Sequence, residues 1–236
     1  MPSADGTVIH DLLTPQNCAV VLIDFQPQML FAVKSIDGQT LVNNAVGLAK
    51  AAVIFKVPTI LTTVAEKSFS GPTFAQLREV LGGSHPIDRT TMNAWEDPRV
   101  VEAIKKTGRK KLILAGLWTE SCIVMPTIHA LQAGYEIYVV ADACGGTSPM
   151  AHDSAIQRMV QAGAVPVTWL QVMLEWQRDW ARQDTYAPVM RVANEHAGAY
   201  GIGIQYAKAV LGEHAGEAGD HQSTTQPRAA KPAGRR

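Results

Sequence analysis

The chain has no excess charge of either sign. Its 236 residues carry 21 Lys and Arg against 21 Asp and Glu, a formal net charge of zero. That excludes the basic footprint of a nucleic-acid binder and gives no purchase on an anionic membrane surface. No run approaches the roughly 18 apolar residues of a membrane span. The N-terminal stretch "MPSADGTVIHDLLTPQN" is polar and lacks the basic-then-apolar order of a signal peptide, so a cytoplasmic protein is expected. Cysteine is scarce and odd in number: Cys18, Cys122 and Cys144. Neither a disulfide framework nor a cysteine zinc knuckle fits that count. The histidines form no H-x-H or H-x₃-H spacing, so no metal is expected. No cofactor is expected either. A glycine fingerprint is missing after the first apolar run, and no internal repeat is present.

What is there is a regular alternation. "CAVVLID" (18–24), "VPTILTTV" (57–64), "KLILAG" (111–116), "EIYVVADA" (136–143) and "VPVTWL" (165–170) read as buried strands. Between them lie segments of helical periodicity. "DPRVVEAIKKTGRK" offers Asp97 as N-cap and Pro98 at the first helical position, and "SPMAHDSAIQRMVQAG" opens on Ser-Pro and ends in glycine. The alternation predicts a three-layer αβα sandwich around a mostly parallel, Rossmann-like sheet joined by right-handed crossovers. Ligands of such sheets sit beyond the C-terminal strand ends. Asp24, Gly116 and Asp142 fall at predicted strand ends, on that rim. The expected division is one domain over residues 1–212, with a helical C-terminal extension, and a disordered tail over 213–236, where Gly, Ala, Ser, Thr, Pro and charge take over. The helical stretch with Trp176 and Trp180 looks longer and more apolar than one sheet needs, which points to a homo-oligomer.

Cys122 stands where the third strand hands over to a helix, in "AGLWTESCIVMPTIHAL". A free cysteine packs well as a small hydrophobe, so a buried, inert thiol is one reading. The residues before it favour another. With Thr119 as cap and Glu120 and Ser121 in the first turn, the sulfur lies near the positive end of the helix dipole, which lowers a thiol pKa. Pro126 cannot donate to the Cys122 carbonyl, so a kink just past the thiol is expected. A nucleophilic thiol needs a proton acceptor. Asp24 closes a fully apolar strand, an expensive place for a carboxylate without a partner. His85, His129 and His152 are placed less well and read as structural. Phe25, Trp95 and Trp118 are candidate pocket aromatics, and Gln26 is a candidate to orient Asp24 or a substrate. "GGTS" (145–148) before a helix is a candidate anion-receiving loop, or simply a turn.

"VLIDFQ", "VPTILTT", "GLWTESC" and "VVADACGGTSPMAHDSAIQRMVQAGA" occur in that order. Together they resemble the isochorismatase-like cysteine hydrolase superfamily, which includes nicotinamidases and N-carbamoylsarcosine amidase. "RTTMNAWED" and "TWLQVMLEWQRDW" most resemble its YcaC-type hydrolases. The resemblance implies a triad of Asp24, a basic residue and Cys122. The basic position falls on Arg89, where the wider family has lysine; Lys67 is the rival. Arginine can pair with Asp24 but stays charged and cannot shuttle a proton. The resemblance also implies a cis peptide bond at Leu117–Trp118 and an oxyanion hole from the N–H groups of Trp118 and Cys122. The Asp-x-His-x-His segment of the metal-binding nicotinamidases is absent. The implied activity is metal-independent cleavage of an amide or other C–N bond in a small molecule, in a closed multi-subunit assembly. Two other readings stand beside it: a nucleotide-binding protein on the same sheet, and a non-catalytic assembly that keeps the fold.

Overall fold

The computed structural model describes residues 11–212, and the tail expected over 213–236 lies outside the described residues. In chain order the first half comprises β1 (Cys18–Ile23), α1 (Pro27–Phe31), α2 (Gly38–Ile54), β2 (Thr59–Val64), α3 (Ala75–Val80), β3 (Ile87–Arg89) and α4 (Pro98–Lys106). The second half comprises β4 (Lys111–Leu117), α5 (Val124–Gln132), β5 (Glu136–Gly145), α6 (Pro149–Gln161), β6 (Val165–Val167), α7 (Trp169–Gln177), α8 (Gln183–His196) and α9 (Ala199–Leu211). One sheet takes all six strands in the order β3-β2-β1-β4-β5-β6, and every pairing is parallel.

The sheet grows outward in both directions from β1, so its order reverses between β1 and β4. In a doubly wound sheet that crevice is where ligands bind. β1 and β4 are apolar along almost their whole length and wholly buried, as strands covered on both faces must be. Side chains alternate between the layers. Val21, Ile23, Leu112 and Leu114 meet Val100 and Ile104 of α4 and Pro126 and Ala130 of α5. On the other face α2 packs against β5, α3, α7 and α8. The caps read from sequence are present: Asp97 accepts the Arg99 N–H, with Pro98 opening α4, and Ser148 accepts the Ala151 N–H, with Pro149 opening α6.

Five local features differ from the expectation. The run read as a strand over 165–170 is strand only to Val167; Thr168 caps α7, which takes up Trp169 and Leu170. β3 is a sixth strand of three residues, too short to show a period of two. Asp142 lies inside β5 rather than at its end, and its Oδ1 accepts the Trp169 N–H at the start of α7 (2.9 Å). Thr119 does not cap a helix; residues Thr119–Ile123 form a π-helical turn ahead of α5. Trp176 is core, fully buried and edge-on to Phe55 at 5.8 Å, while Trp180 sits edge-on to Tyr186. Trp180 stays 38% exposed, so one of the two tryptophans is left at the surface. Among the described residues no helix is long and apolar enough to cross a membrane.

One glycine sets the crevice. Gly116 has φ 151°, and a Cβ there would collide with the Ile23 carbonyl of β1. Only glycine lets β4 close on β1 one residue before Asp24. Gly116→Ala is expected to cost about 3 kcal/mol or more, the overpacking penalty with backbone strain added. Urea denaturation is the measurement, and an unchanged midpoint would contradict the close approach.

Candidate active site

Asp24 follows β1 with φ 57°, in the left-handed region that a short polar side chain tolerates. Its N–H donates to the Thr62 carbonyl and its carbonyl accepts from Gln26 N. The carboxylate thereby turns into the crevice instead of following the strand. Arg89 ends β3, two strands away. Its two terminal nitrogens meet the two Asp24 oxygens at 2.9 and 2.8 Å, a fork that guanidinium matches and ammonium cannot. The carbonyls of Thr63 (3.1 Å) and Met92 (3.3 Å) take further Arg89 donors, and Thr62 Oγ1 donates to Asp24 Oδ1 at 3.3 Å. Both members of the pair are buried to 0% side-chain exposure. Lys67, the rival, is exposed on the turn after β2 and is not brought to Asp24.

Cys122 is carried in by the π-helical turn and is 3% exposed. Its thiol sits close enough to the Asp24 carboxylate to feel its charge and lies 3.9 Å from Ser121 Oγ. The N–H groups on either side of it, those of Ser121 and Ile123, both bond the Trp118 carbonyl. The Leu117–Trp118 peptide bond is cis. Asp24, Arg89 and Cys122 thus come from the ends of β1, β3 and β4 and meet at the switch point.

The electrostatics differ from the sequence expectation. Burial pushes the Cys122 thiol up to about 12; the facing Asp24 charge adds to this, and Arg89 opposes it. Desolvation is the largest influence on the thiol. Burial also raises the Asp24 carboxyl above the usual carboxylate range, against the charge and hydrogen bonds of Arg89. The resting arrangement is a thiol facing a strengthened base, rather than a ready-made thiolate.

The remaining candidates divide. Trp118 is partly buried, and its Nε1 donates to the Met29 carbonyl (2.8 Å), tying α1 to the turn. Phe25 is core, tilted at 53° to the Phe74 ring at 5.8 Å. Trp95 packs with Val100 and Ile104 of α4 over the central strands β1 and β4, edge-on to Tyr135 at 5.4 Å. Gln26 is buried and spends its amide on backbone: Nε2 donates to the carbonyls of Val64 and Gly71, and Oε1 accepts Val64 N–H. Its side chain pins the loop after β2 instead of orienting the Asp24 carboxylate. The 145–148 loop has its donors occupied, Gly146 N by Ser35 Oγ and Thr147 N by Glu120 Oε1, so it is a turn rather than an anion cradle.

The sequence reading of His152 as structural did not foresee its partner. Its Nδ1 lies 2.8 Å from Thr119 Oγ1, so α6 holds the start of the cysteine turn. Burial holds its pKa below the usual histidine value, against the nearby Asp153 and Glu120 charges. No sequence pattern announces that contact, because it depends on α6 folding back over the turn. Cys18 and Cys144 are buried free thiols. Among the described residues no group of three or more His, Cys, Asp or Glu is arranged to hold a metal ion.

Residues 18–171 match the isochorismatase domain family. The chain belongs to the isochorismatase family. It is 38% identical over 169 residues to the probable hydrolase YcaC of Escherichia coli (strain K12), covering 71% of this chain and 81% of that protein. The crystal structure of the E. coli YcaC gene product, described as an octameric hydrolase of unknown specificity, superposes with TM-score 0.82 at 34% identity, over 86% of this chain and 100% of that one. YcaC from Pseudomonas aeruginosa, solved with hexane-2,5-diol and covalent acrylamide, gives TM-score 0.81 at 35% identity, over 85% and 98% of the two chains. The six-stranded parallel sheet is therefore the family's fold.

Removing Arg89 leaves a buried carboxylate unpaired. Arg89→Ala is expected to lower stability by about 3–5 kcal/mol. Lys67→Ala, on an exposed turn, should stay within about 0.5 kcal/mol of the parent. Paired urea melts give the comparison, and equal effects would refute the assignment of Arg89 as the partner of Asp24.

Proposed function

We propose that this isochorismatase-family protein is a cysteine hydrolase that cleaves an amide or related C–N bond of a small molecule through a thioester on Cys122. The observation that carries the reading is the convergence of a buried thiol on a carboxylate held by a bidentate arginine, at the switch point of the sheet. The covalent acrylamide in the P. aeruginosa YcaC structure supports it: a protein of this fold forms a covalent bond with an amide-bearing electrophile.

Each residue has a role. The Cys122 sulfur attacks the substrate carbonyl carbon while Asp24 accepts the thiol proton. The tetrahedral oxyanion takes hydrogen bonds from the N–H groups of Trp118 and Cys122. Collapse breaks the C–N bond, and Asp24 passes its proton to the leaving nitrogen. Water then gives a proton to the same carboxylate as it attacks the thioester. The C–S bond breaks, the sulfur regains the proton, and the acid leaves. Arg89 moves no proton. It fixes the carboxylate by both oxygens and keeps it from swinging away. A raised Asp24 pKa suits this chemistry, because a stronger base narrows the gap to a thiol held near 12. Self-association belongs to the same reading, supported by the octameric E. coli relative.

Screening primary amides, carbamoyl and ureido compounds supplies the substrate. Cys122→Ala should abolish turnover while the far-UV spectrum stays unchanged; retention of most of the activity would refute the covalent route. Asp24 must be ionised to act. Its folded pKa is raised, so kcat/KM should climb with pH through a limb lying above the ordinary carboxylate value of about 4. An acid limb below that value would refute Asp24 as the base.

A further inference from the structure

α9 has two apolar faces, and among the described residues only one is covered. Its inner face meets α8 through Gly201 and Ile204, both buried. The crossing is close: a Cβ on Gly201 would lie 2.7 Å from the Asn194 carbonyl oxygen of α8. The outer face carries Ala199, Ile202, Gly203, Tyr206, Ala209 and Val210, all exposed. Their spacing of i, i+3, i+4, i+7, i+10 and i+11 is that of a helix-pairing seam. Ile202 is 67% exposed, Tyr206 70% and Val210 59%. A solvated face at these positions would carry charge. α9 has no acidic residue at all, and its one basic residue, Lys208, lies off the seam.

We infer that this outer face of α9 packs against α9 of a second copy, antiparallel, about a two-fold axis passing at Tyr206. The inference rests on the self-association proposed above and names the surface that makes it. The seam is self-complementary. Ile202 and Val210 each lie four residues from Tyr206, about 6 Å along the axis on either side. An antiparallel pair therefore sets Ile202 of one copy against Val210 of the other and the two Tyr206 rings against each other, the isologous pattern of a two-fold contact. Gly203 has open space around it, which lets the backbones approach. A lipid surface fits less well, since a membrane-seated helix of this kind carries basic residues along its polar edge and α9 offers Lys208 alone. Thirteen residues bury less than the roughly 1,600 Å² of a standard interface, so the seam is one contact within a larger assembly.

Light scattering of the full chain at micromolar concentration tests this. The folded double variant Ile202→Glu/Tyr206→Glu should fall to about half or less of the wild-type mass, while Gln205→Glu keeps it. Independently, Tyr206→Cys should form an inter-chain disulfide under mild oxidation, and Lys208→Cys should not; the native thiols are all buried and stay silent. An oligomer whose mass is unchanged in the double variant, with no cross-link at 206, overturns the α9 seam and leaves self-association standing. A monomeric wild type overturns self-association itself. Wild-type chain that floats with phosphatidylcholine vesicles, and loses this with the double variant, overturns the second copy in favour of a lipid.

Discussion

The Arg89–Asp24 ion pair is the interaction on which the site depends. Both side chains are out of water, and each oxygen of the carboxylate has its own guanidinium donor. Breaking such a pair costs about 3–5 kcal/mol, a large share of a domain stability of about 5–15 kcal/mol. The pair also ties the edge strand β3 to the central β1 across β2. β3 has three residues and pairs with β2 alone. The Arg89 bonds to Asp24, Thr63 and Met92 give that short edge a reason to lie where it does. Electrostatics and topology are therefore coupled: the charge that fixes the carboxylate also fixes the strand that delivers the charge.

The second constraint is the close passage of β4 behind β1. Gly116 removes a side chain where the Ile23 carbonyl comes through, and the chain then turns through the cis bond and the π-helical turn to place Cys122 against Asp24. Trp118 anchors that turn to α1 and Thr119 anchors it to α6. The thiol is thus held by packing from two directions and kept protonated by burial. The same desolvation that raises the thiol also raises the facing Asp24 carboxyl.

The C-terminal helices show the same economy of surface. Trp176 closes the core under α2, α8 covers α2, and α9 covers α8 while leaving its outer seam bare. Each added helix covers one apolar face and exposes another.

By itself the sequence determined what is local. Apolar runs of six or seven residues set the central strands, and Asp97–Pro98 and Ser148–Pro149 set two helix starts, because each signal lies within a few residues. Family resemblance, in turn, marked Asp24, Arg89 and Cys122. Tertiary structure alone decided how they meet. Asp24 and Arg89 are 65 positions apart, and β3 is too short to announce itself. The thiol pKa was misjudged because a dipole can be read from the turn, while desolvation sums over every layer packed around it. Gln26, Phe25 and Trp95 looked like pocket residues because a buried polar or aromatic group reads the same whether it faces a ligand or the core. On α9 only the packed fold distinguishes the face that meets α8 from the face left in water.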